Sequence, residues 1–353
     1  MNKPMNKNKK AKKNKVLIIV IIAAIVAVCI VIAIGINKDA ELEQTQTEEN
    51  DTIYGDESLG IDAGVDEALR GYRNIFIFGR DNKDRSDIIL IASINKKNNH
   101  VKLITTYRDT YMQLREEGET FYIGGKDREF FKCNHAYKKG GLYAEMKELN
   151  MNMDLNCHEG LGMDWATIEM LIDGVGGLDV DVTPGMLAFI DSSLISESGM
   201  QHLNGEQSVA YLRERKDNTA VQRAERNEAA FVQMFEKANK LSKKEQLELL
   251  DNVYARADSN MSKSTMTEIL NQLSSFEIES KGGWPYDWHL YWDSDMSFYY
   301  FLPETLESNV VRLHKELFEQ KDYTASETLK KISKRISNME PELYRDGRDD
   351  FGQ

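Results

Sequence analysis

The residues best suited to chemistry in this sequence are charged and gathered in short segments. Arg213, Arg215, Arg223 and Arg226 fall within fourteen residues of the stretch from Leu203 to Asn227. A guanidinium stays protonated and meets phosphate oxygens through paired donors, so four of them around one pocket would bind a diphosphate. If the run from Ser208 to Leu212 ends extended, Arg213 and Arg215 share a face. Arg223 and Arg226 lie three apart in a helical segment and would share another. The alternative is a solvated basic helix face paired with Glu206, Glu214 and Glu225.

Three further segments sit where strands end or turns begin. Asp81 and Asp87 flank a loop that also carries Arg85. Two hard carboxylate ligands, completed by phosphate oxygens, are what Mg²⁺ takes, although Asp is also an ordinary turn residue. Arg108 closes a strand that should be mostly buried, so it needs a partner, and Asp109 stands beside it. His135, in Asn134-His-Ala-Tyr137, reads as a satisfied structural histidine rather than a ligand. No phosphate-binding GxxxxGK[ST] loop, HExxH or GxSxG occurs, so neither ATP nor a signature Ser or Cys nucleophile is indicated.

The elements that must hold these groups are legible as patterns. Apolar runs at Asn74–Phe78, Asp87–Ile94 and Val101–Tyr107 predict strands, with the second and third joined as a hairpin through Asn95–Asn99. Leu178–Val182 alternates and predicts a fourth. Helices are expected at Leu142–Leu149, Trp165–Ile172, after Asn204 as N-cap, Ala220–Leu241, Lys244–Tyr254, Ser264–Leu273, Pro303–Phe318 and Asp322–Asn338. The aromatic segment 284–301 reads as a packed loop and edge strand, or as a carbohydrate-stacking patch. Mixed strands and helices predict an α/β sandwich.

Charge divides the chain. Its formal net charge is −13, yet residues 1–15 hold seven lysines and no acid, leaving the remainder near −20. Such an acidic body argues against nucleic acid as a partner. Val16–Ile36 is uncharged and apolar over 21 residues, which as a helix spans about 30 Å, the hydrocarbon thickness of a bilayer. Lysines before it and acids after it predict a single-pass anchor with a cytoplasmic N-terminus and an extracellular body. The organisation expected is a basic tail (1–15), a transmembrane helix (16–36), an acidic stalk (37–68), a catalytic domain (69–320), and a C-terminal helix with a loose tail (321–353). Cys133 and Cys157 form either a disulfide or two buried thiols.

In order and spacing, FGRDN, Arg85-Ser-Asp87, YRDTY, NHAYKKGG, LIDGVGGLDVDV, and GMQHLNGEQSVAYLRERK with QRAERNE resemble the LytR-CpsA-Psr family of bacterial cell-wall proteins. The resemblance runs from about Asn74 to Ala238. It implies a three-layer α-β-α sandwich with a central mixed sheet, behind one N-terminal transmembrane helix. It implies a membrane-anchored phosphotransferase that moves an anionic glycopolymer, such as teichoic acid or capsular polysaccharide, from undecaprenyl-pyrophosphate to peptidoglycan. Asp81 and Asp87 would then hold Mg²⁺ or Mn²⁺. Arg85, Arg108, Arg213, Arg215, Arg223 and Arg226 would grip the pyrophosphate. Arg108, Asp109, Arg213 and Arg215 would carry the chemistry, with Asp109 as base or as the partner that orients Arg108. The polyprenyl tail would lie in an apolar tunnel between sheet and helices. Ala220 stands where the family carries an acid, with Asp217 nearby.

Two other readings use the same residues. In one, water replaces the sugar hydroxyl and the chain is a pyrophosphatase. In the other, it is a wall-binding or regulatory membrane protein without catalysis.

Overall fold

The computed structural model describes residues 55–217 and 219–343. The predicted basic tail, the membrane span Val16–Ile36 and the residues after 343 lie outside them. Six strands form the central sheet: β1 (Tyr72–Arg80), β2 (Ser86–Asn95), β3 (His100–Thr106), β4 (Glu159–Asp164), β5 (Asp258–Ser259) and β6 (Glu277–Trp284). Their spatial order is β5-β4-β1-β2-β3-β6. The neighbours β1, β2 and β3 are antiparallel, while β4 runs parallel to β1 and β6 parallel to β3. The sheet is therefore mixed, as the resemblance implies.

Two cores cover its two faces. Because side chains alternate along a strand, β1 sends Phe76 and Phe78 to one core and Ile75 and Ile77 to the other. Likewise β2 divides Ile89 and Ile91 from Ile88 and Leu90. Among the described residues, the helices of seven residues or more are α1 (Ala63–Leu69), α2 (His135–Met153), α3 (Trp165–Gly174), α4 (Gly205–Arg213), α5 (Ala220–Ala238), α6 (Lys243–Tyr254), α7 (Lys263–Gln272), α8 (Leu306–Phe318) and α9 (Glu327–Leu343). Buried residues of α1, α2, α8 and α9 fill the first core, and those of α3 to α7 the second.

Local chemistry starts the helices that matter most. Asn204 and Thr219 each accept from the backbone N–H three residues on, and Gln207 and Gln222 bond back to the cap. These reciprocal capping boxes satisfy amides that a helix start leaves orphaned.

Several expectations need correction. Leu178–Val182 is a strand, as its alternation predicts, and it pairs with Gly199–Leu203 outside the central sheet. The run Ser208–Leu212 does not end extended: α4 continues through Arg213, and the chain opens only at Glu214. The stalk does not reach residue 68, because Leu59, Ile61, Val65 and Leu69 are buried in the first core. Nor does the domain stop at 320, since Leu329, Ile332 and Ile336 of α9 occupy the same core. In place of a loop and an edge strand, the aromatic segment from residue 284 forms a hairpin, Trp288–Asp293 against Phe298–Pro303. Of the two alternatives for Cys133 and Cys157, the structure has the pair of buried free thiols.

Candidate functional site

β1 ends, β2 begins and β3 ends at one edge of the sheet, because β2 is antiparallel to both neighbours. The charged segments are therefore delivered to a single place. The Asp81–Arg85 turn is closed by its own carboxylate. Asp81 Oδ1 accepts from the backbone N–H of Lys83 at 2.8 Å and of Arg85 at 3.0 Å, and Oδ2 accepts from Arg85 Nε at 3.0 Å and from its terminal nitrogen at 2.6 Å. Burial pushes the Asp81 carboxyl up, but these bonds outweigh it and hold the group below the ordinary carboxylate range.

Beyond β3, Thr110 turns the chain: its N–H and its hydroxyl both donate to the Tyr107 carbonyl, at 2.9 and 2.6 Å. The turn projects Arg108 onto Asp87 at the start of β2. Arg215 reaches the same carboxylate, 3.0 Å from both oxygens. Asp109 lies 3.5 Å from Arg108 Nε and 2.9 Å from Lys132 Nζ. Burial works against the Asp109 charge, and the cations of Arg108 and Lys132 more than restore it, leaving its carboxyl below the usual range. An acid held so firmly deprotonated is a weak base, and its geometry suits orienting Arg108 and Lys132.

Arg223 completes the group. It is buried to 6 % exposure in the first turn of α5. No carboxylate among the described residues forms an ion pair with it. Burial, followed by repulsion from Arg108 and Arg215, pushes its guanidinium down to about 9, so it remains charged at neutral pH. With Asp81 balanced by Arg85, Arg108, Lys132, Arg215 and Arg223 are left with Asp87 and Asp109 as their near carboxylates among the described residues, a surplus of two positive charges. Buried cations without counter-ions are costly, which makes this cluster an anion site in waiting.

Two arginines from the sequence are used otherwise. Arg213, the last residue of α4, is exposed and lies over the Trp165 ring at 5.5 Å. It does not share a face with Arg215, because the helix ends between them. Arg226 donates to the carbonyls of Glu214 at 2.6 Å and Leu212 at 3.4 Å and covers the Tyr211 ring at 5.1 Å. Its guanidinium ties down the end of α4 and so aims the turn that carries Arg215. Asp217, near the position where the family carries an acid, is bonded to Thr183 at 2.6 Å.

Lys132 has no signal in the sequence. It comes from Phe130–Lys132, which pairs with Tyr111–Gln113, and three residues are too few to show a strand period. Its ammonium also sits 4.0 Å from the Phe298 ring centroid. His135 lies beside the cluster with Nδ1 2.9 Å from Asn134 Oδ1. Burial, then the charges of Arg85 and Lys132, push its imidazole down to about 4. It is neutral at physiological pH, in keeping with a structural role. Among the described residues, no group of three or more His, Cys, Asp or Glu side chains is gathered for a metal.

An apolar cavity of about 250 Å³ lies between the sheet and α5, α6 and α7. Ile77, Ala92, Leu161, Phe231 and Val253 line it, and Gln246 is its polar exception. It lies toward the far ends of elements that also carry the charged cluster. Along α5, Arg223 and Phe231 are eight residues apart, about 12 Å of helix. Along β2, Asp87 stands at the start and Ala92 toward the end.

A family model described as the LytR_cpsA_psr family matches residues 31–289. Among curated proteins, the chain is similar to the polyisoprenyl-teichoic acid–peptidoglycan teichoic acid transferase TagV of Bacillus subtilis (strain 168). The two are 27% identical over 256 residues, covering 69% of this chain and 61% of TagV. Among solved structures, protein gbs0355 from Streptococcus agalactiae aligns with a TM-score of 0.63 at 20% identity, covering 81% of this chain and 99% of that one. A structure of TagT bound to LIIa-WTA aligns with a TM-score of 0.59 at 19% identity, covering 71% and 91%. These structures share its α/β fold. With most of its length matched by the family model, the chain belongs to the LytR_cpsA_psr family.

Proposed function

We propose that this chain is a phosphotransferase that moves an anionic glycopolymer from a polyprenyl-pyrophosphate carrier to peptidoglycan, forming a phosphodiester. The observation that supports this reading best is the surplus of two positive charges around Arg223, set at the end of elements that also wall an apolar cavity. A lipid pyrophosphate has those two halves: roughly two negative charges and a long hydrocarbon tail. Teichoic acid transfer is what the name of the similar TagV states.

In this reading, Arg108, Arg215 and Arg223 receive the pyrophosphate, with Lys132 beside them and Arg85 at the loop. Phosphoryl transfer needs positioning and charge neutralisation more than covalent catalysis, and fixed guanidinium donors supply both. Asp109 keeps Arg108 and Lys132 in place. Arg213, exposed at the end of α4, would leave the Trp165 ring to reach the polymer side of the phosphate. A sugar hydroxyl of peptidoglycan attacks the phosphorus next to the polymer, the bond from that phosphorus to the bridging oxygen breaks, and the polyprenyl phosphate leaves, taking up the hydroxyl proton.

Asp81 and Asp87 suit Mg²⁺ by donor type, as two hard carboxylates near one anion site whose remaining ligands would be phosphate oxygens and water. A bound Mg²⁺ would add neutralisation of the phosphate charge. Before substrate arrives, the arginines serve as counter-ions to these carboxylates. The apolar run Val16–Ile36 would anchor the chain, cytoplasmic at its N-terminus, so that the domain meets a donor confined to the outer membrane face.

The test is incubation of the full chain in detergent with Mg²⁺, a short lipid-pyrophosphate-linked glycan and peptidoglycan oligomers, followed by mass spectrometry. A glycan–phosphate–peptidoglycan adduct is expected. Release of free glycan phosphate without adduct would favour the pyrophosphatase, and an intact donor would favour a binding protein.

A further inference from the structure

One buried carboxyl beside the site has no place in the transfer chemistry above. Glu145, in α2, is fully buried and forms no ion pair among the described residues. Its Oε1 receives the hydroxyl of Ser86, and its Oε2 accepts the backbone N–H of Tyr137 at 3.0 Å. The two partners belong to different parts of the site. Ser86 is the first residue of β2, between Arg85, which grips Asp81, and Asp87, which holds Arg108 and Arg215. Tyr137 belongs to the first turn of α2, whose amides have no earlier carbonyl to bond.

The helix is built so that Glu145 can do this. Gly141 interrupts α2 with φ 71° and ψ −161°, a backbone state open to glycine. The break separates the first turn from the regular helix, and Glu145 reaches back across it. One turn further on, Glu148 is also fully buried, and neither of its carboxyl oxygens has a hydrogen-bond partner among the described residues. Two such carboxyls without a cation are not both ionised. Burial pushes Glu145 up to about 8, despite the bonds from Ser86 and Tyr137. A protonated carboxyl carries one O–H donor and still accepts, so in the neutral state the bond at Oε1 reverses, the carboxyl O–H donating to the Ser86 oxygen, while Oε2 keeps the Tyr137 amide.

We infer that Glu145 is a positioning residue for the transfer reaction, clamping the start of β2 to the first turn of α2 through Ser86 and Tyr137. It thereby sets the Asp81–Asp87 loop against Arg108 and Arg215. This rests on the transfer reading above, but the clamp itself is a property of the unliganded protein. Loss of the clamp loosens the loop and misplaces groups that act on the phosphate in the transition state.

The experiment uses the full chain in detergent, as wild type and as Glu145→Gln, Glu145→Ala, Ser86→Ala and the Ser86→Ala/Glu145→Ala pair. Two quantities are read: hydrogen exchange of the Lys83 and Arg85 amides without ligand, and steady-state transfer from a lipid-pyrophosphate-linked glycan. Glu145→Ala should speed the exchange about tenfold, the equivalent of one net hydrogen bond. It should lower kcat about tenfold with a smaller change in KM. Glu145→Gln keeps an acceptor for Tyr137 and a donor for Ser86, and should restore both quantities nearly to wild type. Ser86→Ala should reproduce most of the defect without emptying the core, and the pair should be no worse than Glu145→Ala alone.

Wild-type exchange and kcat in both alanine variants would overturn the inference, as would a Gln variant as damaged as Ala or fully additive effects in the pair. If Glu145→Ala does not fold, Ser86→Ala and Glu145→Gln decide alone. If wild type transfers nothing, the transfer reading fails, and the exchange measurements still decide whether Glu145 clamps the loop.

Discussion

Arg215 donates to both oxygens of the Asp87 carboxylate at 3.0 Å, although 128 residues separate the two in sequence. Arg108 uses the same carboxylate from a third segment. Asp87 is therefore the junction where β2, the end of β3 and the turn after α4 meet. It balances only part of the positive charge gathered there.

Removing Arg108 or Arg215 takes away a guanidinium whose donors would meet the pyrophosphate in the proposed reaction. Arg108→Ala and Arg215→Ala should each leave the fold intact and lower kcat/KM for transfer by about 10²–10³, the cost typical of losing one preorganised donor to a developing charge. Steady-state kinetics by mass spectrometry, beside circular dichroism for the fold, measures it. Wild-type rates in both variants would remove these residues from the chemistry.

Arg223 is buried against other cations, so its loss should relieve the unliganded protein. Arg223→Ala should melt at the wild-type temperature or above it, whereas most substitutions at buried positions destabilise. Inorganic pyrophosphate should raise the melting temperature of wild type by binding the native state, and raise that of Arg223→Ala far less. Equal pyrophosphate shifts would show that Arg223 does not meet the anion.

Asp87 is the opposite case. Asp87→Ala leaves the mostly buried Arg108 without that counter-charge, and should cost about 3 kcal/mol by chemical denaturation. Added pyrophosphate should return part of this, because the anion replaces the lost carboxylate. A variant of unchanged stability would mean that Asp109 alone suffices for Arg108.

His135 is held neutral, with burial and then Arg85 and Lys132 pushing its imidazole from the ordinary 6.5 down to about 4. Below 6.5 the unfolded chain takes up a proton that the native state refuses, so stability falls as pH drops from about 6.5 to about 4. Replacement by Gln should flatten that part of the stability profile. A wild-type profile flat across the window would place the imidazole in a more polar setting than the structure shows.

The apolar cavity gives a length test. Ala92→Leu extends a side chain into its wall and should slow transfer from long-tailed donors about tenfold, leaving short-tailed donors unaffected. Equal slowing of both would place the lipid elsewhere.

Much of this architecture is legible in the amino-acid sequence alone. The strands around Ile75, Ile91 and Leu103 and the hairpin through Asn95–Asn99 show as local apolar patterns, and Asn204 announces the helix that carries Arg213. These features depend on neighbours a few residues away, which is all a pattern can report. The family resemblance likewise brings Asp81, Asp87, Arg108, Arg215 and Arg223 forward as one set.

What only the tertiary structure decided depends on long-range packing. β6 pairs with β3 across more than 170 residues, with an irregularity between Ser280 and Gly283 that blurs its pattern. The end of α4 sends Arg213 onto Trp165 and Arg215 onto Asp87, a division set by one helix terminus. Arg223 and Arg226 lie on one helix with one chemistry, yet the first is buried among cations and the second holds backbone carbonyls. Lys132 enters the site only because a three-residue strand pairs with Tyr111–Gln113. Sequence determined which charges the chain possesses and which segments could present them. Which of those charges lack a counter-ion depends on distances between segments far apart in the chain, and these exist only once both faces of the sheet are packed.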